Sequence, residues 1–256
     1  MLLLTAQGAS GIGEATVRLF VAEGAAAVAF ADRDQERGDE IARELTAAGA
    51  RVVFVAAETS SESDCQAFIQ RTVGAFGRID VLVNNAGVRS YLKVTEADEE
   101  SWDHILGVNV KGYAFTSKYA IPEMIKAGSA GSIVNVASHR AIVAGPNTVQ
   151  YDTSKAAVAG LTRSMARDHA ADGVRVNSVA PGPTMTRFHE LRNAEMGITE
   201  AEFTKTFAAT TMLQRVARPV EVAHAILWLA SEDASFATGS MVVVDGGAST
   251  NSHEGF

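Results

Sequence analysis

The chain has 256 residues, with 22 Lys and Arg against 30 Asp and Glu and a formal net charge of −8. That balance argues against a nucleic-acid surface or an anionic membrane as partner, and no apolar run approaches the roughly eighteen residues of a membrane span. Hydrophobic residues make up 47% and charged residues 20%, which excludes a disordered chain, and the single Cys65 allows no internal disulfide, as expected in a reducing cytoplasm.

Strand and helix signals then alternate along the whole length. Residues 2–6 are apolar and run into a glycine turn, so the chain opens on a strand already under way and a few upstream residues are expected to be missing. Helical periodicity follows over 14–23, ending near Gly24. A buried-strand run over 25–31 closes on Asp32, and 35–48 reads as an amphipathic helix stopped by Gly49. Strands are predicted over 51–56, 79–84, 132–137, 174–180 and 241–245, and helices over 61–76, 101–125, 151–169 and 219–231. Strands apolar on both faces, joined by helices, imply a doubly wound parallel sheet of Rossmann type with helices on both sides. No linker, repeat or low-complexity tract divides the chain, so one domain over 1–256 is expected. The long irregular stretch 181–211 is expected to supply a substrate lid over about 183–211.

Two groups of residues carry chemistry. Gly8, Gly11 and Gly13 lie between the first strand and first helix, where the backbone must turn tightly and a helix amino end offers free N–H groups to phosphates. Asp32 stands nineteen residues after Gly13 at the end of the second strand, where a carboxylate can accept both hydroxyls of an adenine ribose. Tyr151 and Lys155 stand one helical turn apart, with Ser138 thirteen residues before Tyr151. A phenol is a poor base at neutral pH, and a neighbouring cation favours its ionised form. A hydroxyl at a strand end is placed to stabilise charge on a substrate oxygen. Each part alone is weak: with four Tyr and six Lys, a chance Tyr-x-x-x-Lys is roughly a one-in-ten event. Asn109, a poor helix former inside a predicted helix, calls for a reason. None of the six His falls at metal-ligand spacing, so no metal is expected.

The set of motifs resembles the short-chain dehydrogenase/reductase family over essentially the whole length. The matching pieces are Gly8-Ala9-Ser10-Gly11-Ile12-Gly13, Asn84-Asn85-Ala86-Gly87, Asn109, Ser138, Tyr151-x-x-x-Lys155, Pro181-Gly182, and Thr238-Gly239 followed by Val244-Asp245-Gly246-Gly247. The resemblance implies a sheet ordered 3-2-1-4-5-6-7, a nicotinamide cofactor and a homotetramer. It assigns Tyr151 as general acid/base, Ser138 to the substrate oxygen, Lys155 to Tyr151 and the ribose, and Asn109 to a water passing protons on from Lys155. It places Asn85, Ala86, Gly87, Pro181, Gly182, Thr184 and Thr186 around the nicotinamide, Ser10 and Ile12 in the phosphate turn, and Thr59 near the adenine. Two departures stand out. Gln7 replaces the first glycine of the turn, and Glu58 stands where the family often has Asp.

Asp32 points to NAD as cofactor, with NADP disfavoured although Arg33 follows directly. Around the substrate the sequence places Arg89-Ser90-Tyr91, His139, Arg140, Asn147 and the lid residues Arg187, Phe188, His189, Glu190, Arg192 and Asn193. Of these, His139, Arg140, Asn147 and Arg187 are the chief candidates. Such donors suit a small polar substrate: a sugar, a polyol, or a hydroxy or keto acid. The alternatives are a 3-oxoacyl-carrier-protein reductase, or a non-catalytic sensor that binds the cofactor without turnover.

Overall fold

The computed structural model describes residues 2–128, 131–187, 189 and 197–251. Seven parallel strands form one sheet: β1 Leu2–Ala6, β2 Ala27–Asp32, β3 Val52–Ala56, β4 Val81–Asn84, β5 Ser132–Val136, β6 Arg175–Pro181 and β7 Met241–Val244, in the order 3-2-1-4-5-6-7. β2 shows why the sheet is parallel and covered: all six residues of Ala-Val-Ala-Phe-Ala-Asp are buried, leaving no polar face for water.

Helices cover both faces. Helix α1 (Gly11–Ala22), α2 (Gln35–Ala47) and the late helix Pro219–Ala230 pack Val17, Phe20, Ile41, Ile226 and Leu229 onto one face. Helix α3 (Glu62–Phe76), α5 (Gly112–Lys126) and α6 (Val149–His169) pack Phe68, Ile69, Ile121, Met124 and Met165 onto the other. Local signals set their ends. Asp34 accepts from Arg37 N to cap α2, Ser61 accepts from Asp64 N to cap α3, and Gly77 closes α3 with φ 81°.

Two segments depart from the sequence reading. The single helix expected over 101–125 is helix α4 (Glu99–Leu106), a π-helical turn Gly107–Lys111, and then α5. The turn packs closely on the Thr59 loop, since a Cβ on Gly112 would lie 2.8 Å from the Thr59 carbonyl oxygen. The stretch expected to be irregular contains a capping box, in which Thr199 and Glu202 exchange side-chain and backbone hydrogen bonds, and the helix Glu200–Ala208.

The strand order reverses direction at β1, which pairs with β2 on one side and β4 on the other. The crevice beyond the carboxyl ends of β1 and β4 is therefore the natural ligand position. The turn after β1 carries Gln7 to Ser10, and the turn after β4 carries Asn85-Ala86-Gly87.

Candidate active site

A cavity of about 550 Å³ opens at that crevice. Of the residues the sequence singles out, Gln7, Ser10, Gly11, Ile12, Asn85, Gly87, Ser138, His139, Arg140, Tyr151, Lys155, Pro181, Gly182, Thr184 and Thr186 line it. Gly8, Gly13, Asp32, Arg33, Glu58, Thr59, Ala86 and Asn109 are not among the residues that line it.

The glycine turn is tight. A Cβ on Gly13 would stand 1.8 Å from the Gln7 carbonyl oxygen, and Gly11 has φ 54°. Ser10 makes no side-chain cap bond, so the amino end of α1 is left open toward the cavity. Gln7 itself adopts φ 60°, a left-handed conformation that suits glycine better. Its carbonyl accepts from Asn85 Nδ2 at 3.0 Å and its Oε1 accepts from Gly87 N at 2.8 Å, tying the two turns together. Asp32 is buried. Its Oδ2 accepts from Ala9 N at 3.0 Å and its Oδ1 from Asp34 N at 3.1 Å, while burial raises its carboxyl above the usual range. Each oxygen keeps a lone pair for a further donor.

Helix α6 presents Tyr151 and Lys155 on one face, as a four-residue spacing must. Ser138, just after β5, accepts from Arg140 N at 3.1 Å, and its hydroxyl favours the ionised form of the Tyr151 phenol. Lys155 Nζ donates to the Val136 carbonyl at 2.9 Å and reaches Tyr113 Oη at 3.5 Å. Both partners are neutral, and burial lowers the ammonium to a pKa of about 7.

The phenol departs from expectation. Burial holds Tyr151 above its ordinary value, and Arg89 leads the pull in the other direction, followed by the Ser138 hydroxyl. Arg89 Cζ lies 4.9 Å from the centre of the Tyr151 ring, while Lys155 Nζ is 5.8 Å away.

Asn109 sits in the π turn. Its Oδ1 accepts from Val88 N at 2.8 Å, and its Nδ2 donates to Val88 O at 2.9 Å and Ser154 Oγ at 2.9 Å. The side chain thus braces the strand-end loop after Gly87. A methyl group built on Gly87 would lie 3.4 Å from Lys155 Nζ and 3.7 Å from Asn109 Oδ1, so the two face a common point.

The substrate candidates separate. His139 lines the cavity and its Nδ1–H donates to the Pro181 carbonyl at 3.0 Å. Burial lowers its pKa, so the neutral ring turns an acceptor nitrogen, Nε2, away from that bond. Arg140 lines the cavity as well. Asn147 does not: it is exposed in a turn with φ 57°. Arg187 lines a separate cavity of about 670 Å³ and lies 3.9 Å from Asp34, on the outer side of the glycine turn. Phe188, Glu190, Arg192 and Asn193 lie outside the described residues. The wall also includes Phe203 and Phe207, with ring centroids 4.4 Å apart, and Ser249 and Asn251 beyond β7. The aromatic pair at i and i+4 is visible in the sequence as a helix face; the residues after β7 carry no local signal. Among the described residues no group of His, Cys, Asp and Glu could hold a metal ion, and no helix is long and apolar enough to cross a membrane.

Comparison with known proteins agrees with this architecture. A family model described as enoyl-(acyl carrier protein) reductase matches residues 6–249. A cis-4-hydroxycyclohexanecarboxylate dehydrogenase from Sinomonas cyclohexanicum is 42% identical over 240 residues, 93% of this chain and 92% of its own. The ligand-free aldohexose dehydrogenase of Thermoplasma acidophilum superposes with a TM-score of 0.89 at 33% identity, covering 100% of this chain and 96% of its own. The NADP-bound structure of ElxO superposes with a TM-score of 0.88 at 29% identity, covering 98% and 99%. The chain belongs to the short-chain dehydrogenase/reductase family and is an oxidoreductase.

Proposed function

We propose that the protein is an NAD-dependent enzyme that interconverts a secondary alcohol and a ketone on a small polar substrate. In this reading residues 1–256 form one catalytic domain with a lid at about 183–211. The observation that carries it is the meeting of Ser138, Tyr151 and Lys155 on one wall of a cavity whose other wall is the open amino end of α1.

A nicotinamide dinucleotide, when bound, accepts or returns the hydride. Gln7, Gly8, Ser10, Gly11, Ile12 and Gly13 would hold its pyrophosphate, and Asp32, Arg33, Glu58 and Thr59 its adenosine. Asn85, Ala86, Gly87, Pro181, Gly182, Thr184, Thr186 and Lys155 would hold the nicotinamide side. Tyr151, kept protonated by burial, donates to a ketone oxygen in reduction. For oxidation it must release that proton, which the cations of Arg89 and Lys155 favour. Ser138 steadies the substrate oxygen. Lys155, with a pKa of about 7, can pass a proton at neutral pH, and Asn109, facing the same point above Gly87, is placed to hold a water that carries it onward.

NAD is favoured over NADP because the region around the ribose is anionic. Asp32 and Asp34 stand there, and Arg18 and Arg37 are already engaged by Glu14, Glu40 and Glu44. The NADP-bound relative is the argument for the other cofactor. A 3-oxoacyl-carrier-protein reductase is the second reading, supported by a relative of that description from Thermotoga maritima that is 37% identical over 239 residues. The net charge of −8 suits an acidic carrier protein poorly. A homotetramer fits the exposed Trp228 and Val243 on the late helix and last strand. The cytoplasm fits the single Cys65.

The test is a panel of sugars, polyols and hydroxy acids read by absorbance of reduced nicotinamide. Native protein should turn over one class with NAD, and Tyr151→Phe should lose about 10²–10⁴ in kcat while still binding NADH. Near-native turnover by the variant, with chemistry rate-limiting, would remove Tyr151 from its role. Cofactor binding without turnover of any substrate would favour a sensor.

A further inference from the structure

The chain carries a net charge of −8 and 30 acidic residues, yet no Asp or Glu is among the described residues that line the cavity. The lining instead holds Arg89, Arg140 and Lys155. Lys155 is engaged by Val136 and Tyr113. The two arginines are not so placed. Each has a buried Nε with no hydrogen-bond partner, and among the described residues neither forms an ion pair. A solvated guanidinium is the ordinary state of a surface Arg, but a buried N–H without an acceptor is not.

The surroundings hold both groups in place. Arg89 stacks on two rings, with Cζ 4.9 Å from the centre of Tyr91 and 4.9 Å from that of Tyr151. Stacking occupies the faces of a guanidinium and leaves its donor edge free. Arg140 packs over Gly145, where a Cβ would lie 2.4 Å from its Nη1. Asp152, a carboxylate that acts on Arg140, forms no ion pair with it: its Oδ2 accepts from Gly145 N at 2.8 Å and Thr148 Oγ1 at 2.9 Å, and its Oδ1 is buried without a partner. Burial, and after it the neighbouring Arg89, disfavour the charged form of Arg140, while Asp152, Tyr151 and Tyr91 act the other way, each by less than Arg89.

We propose that the substrate carries a carboxylate, and that Arg89 and Arg140 hold it beside Tyr151. This rests on the dehydrogenase reading of the same cavity and narrows it to hydroxy and keto acids. A carboxylate offers two coplanar acceptors to a guanidinium edge and cancels the repulsion between the two cations. Because Arg89 lies against the ring of the proton donor, the carboxylate and the reacting carbon are joined by a short spacer. Phe203, Phe207 and Val143 on the facing wall suit an apolar body on that spacer.

The experiment measures binding to the NADH-saturated enzyme by calorimetry. The probes are cyclohexanecarboxylate and 3-hydroxybutyrate, each against its primary amide. The acids should bind at least about tenfold more tightly than the amides, as charge-assisted bonds outdo neutral ones. Arg89→Gln and Arg140→Gln should each cut that preference threefold or more (about 0.65 kcal/mol), and Arg89→Lys should restore part of it. Melting temperatures close to native identify variants that are folded. The preference should survive in Tyr151→Phe. Acids that bind no better than amides, or a preference unchanged in both Gln variants, would overturn the proposal. Since binding is read without turnover, a protein inert toward every alcohol sinks the dehydrogenase reading and leaves this result standing. An enzyme that oxidises alcohols yet ignores the carboxylate does the reverse.

Discussion

The two ends of the cavity are built on different terms. Around the glycine turn several charged groups already have partners: Asp32 accepts from Ala9 and Asp34, and Arg18 and Arg37 are shared among three glutamates. Around Tyr151 the cations stack on rings and leave donors unused. An end whose polar groups are paired selects mainly by what it repels. An end with unpaired donors selects by what it lacks, because a buried polar group without a partner is costly until something supplies one.

Lys155 sits where the two ends meet, and it gives the largest expected effect. Its pKa is about 7 in the fold against an ordinary 10.5. Between those values the unfolded chain holds a proton that the folded chain lacks, so this residue makes native stability rise with pH. Below about 7 both states are charged and the burial penalty is present in full. Lys155→Met carries no such penalty at any pH. Urea unfolding at pH 7, 8 and 9 should therefore find the variant's stability advantage shrinking by up to about 1.4 kcal/mol per pH unit. A gap that stays constant would mean that Lys155 remains charged in the folded protein.

The next effect tests selection by repulsion. NAD should be preferred over NADP by at least about tenfold in kcat/KM, about 1.4 kcal/mol of discrimination. Asp32→Ala should shrink the gap, improving NADP use while weakening NAD, because a 2′-phosphate no longer meets the carboxylate. Equal efficiency with both cofactors in the unmodified protein would break the contrast between the two ends, since the paired end would then exclude nothing. The fold would be untouched by that result.

The same contrast explains how far the sequence could be read. The cofactor end and the Tyr151–Lys155 pair depend on short-range features: a buried apolar run ending in Asp32, glycines between strand and helix, and a Tyr and Lys one turn apart. Each follows from local spacing. The substrate end depends on contacts between distant segments. Arg89 is held by Tyr91 two residues away but also by Tyr151 on α6, and nothing near Arg89 announces the second ring. Asn109 reads as a misfit in a helix, yet it sits in a π turn where its side chain bonds the distant Val88 and Ser154. Asn147 and Arg187 show the opposite limit. Both carry polar groups in segments that border the cavity, but a left-handed turn leaves one exposed and Asp34 stands beside the other. Composition places a side chain in a neighbourhood; its direction is fixed by the packing of several segments.

The smallest effect concerns Gln7, the one place where the paired end is itself under strain. A left-handed backbone costs a residue with a Cβ about 1–2 kcal/mol, and Gln7 adopts it at φ 60°. Its bond from Gly87 N, at 2.8 Å, returns about 0.5–1.5 kcal/mol. Glycine would remove the strain and the bond together, while adding about 0.5–1 kcal/mol of unfolded-chain freedom. These terms nearly cancel, so Gln7→Gly should change unfolding stability by less than about 1 kcal/mol. Binding need not follow stability. The Gln7 amide occupies Gly87 N–H at the edge of the cavity, and a ligand using that donor must first displace it. Losing one such bond is worth about a two- to tenfold gain in NADH affinity, measurable by fluorescence titration. If the variant instead binds NADH more weakly at unchanged stability, Gln7 holds the Gly87 loop in its binding shape. The strained turn is then a brace that serves the cofactor, and the paired end works by attraction as well as by exclusion.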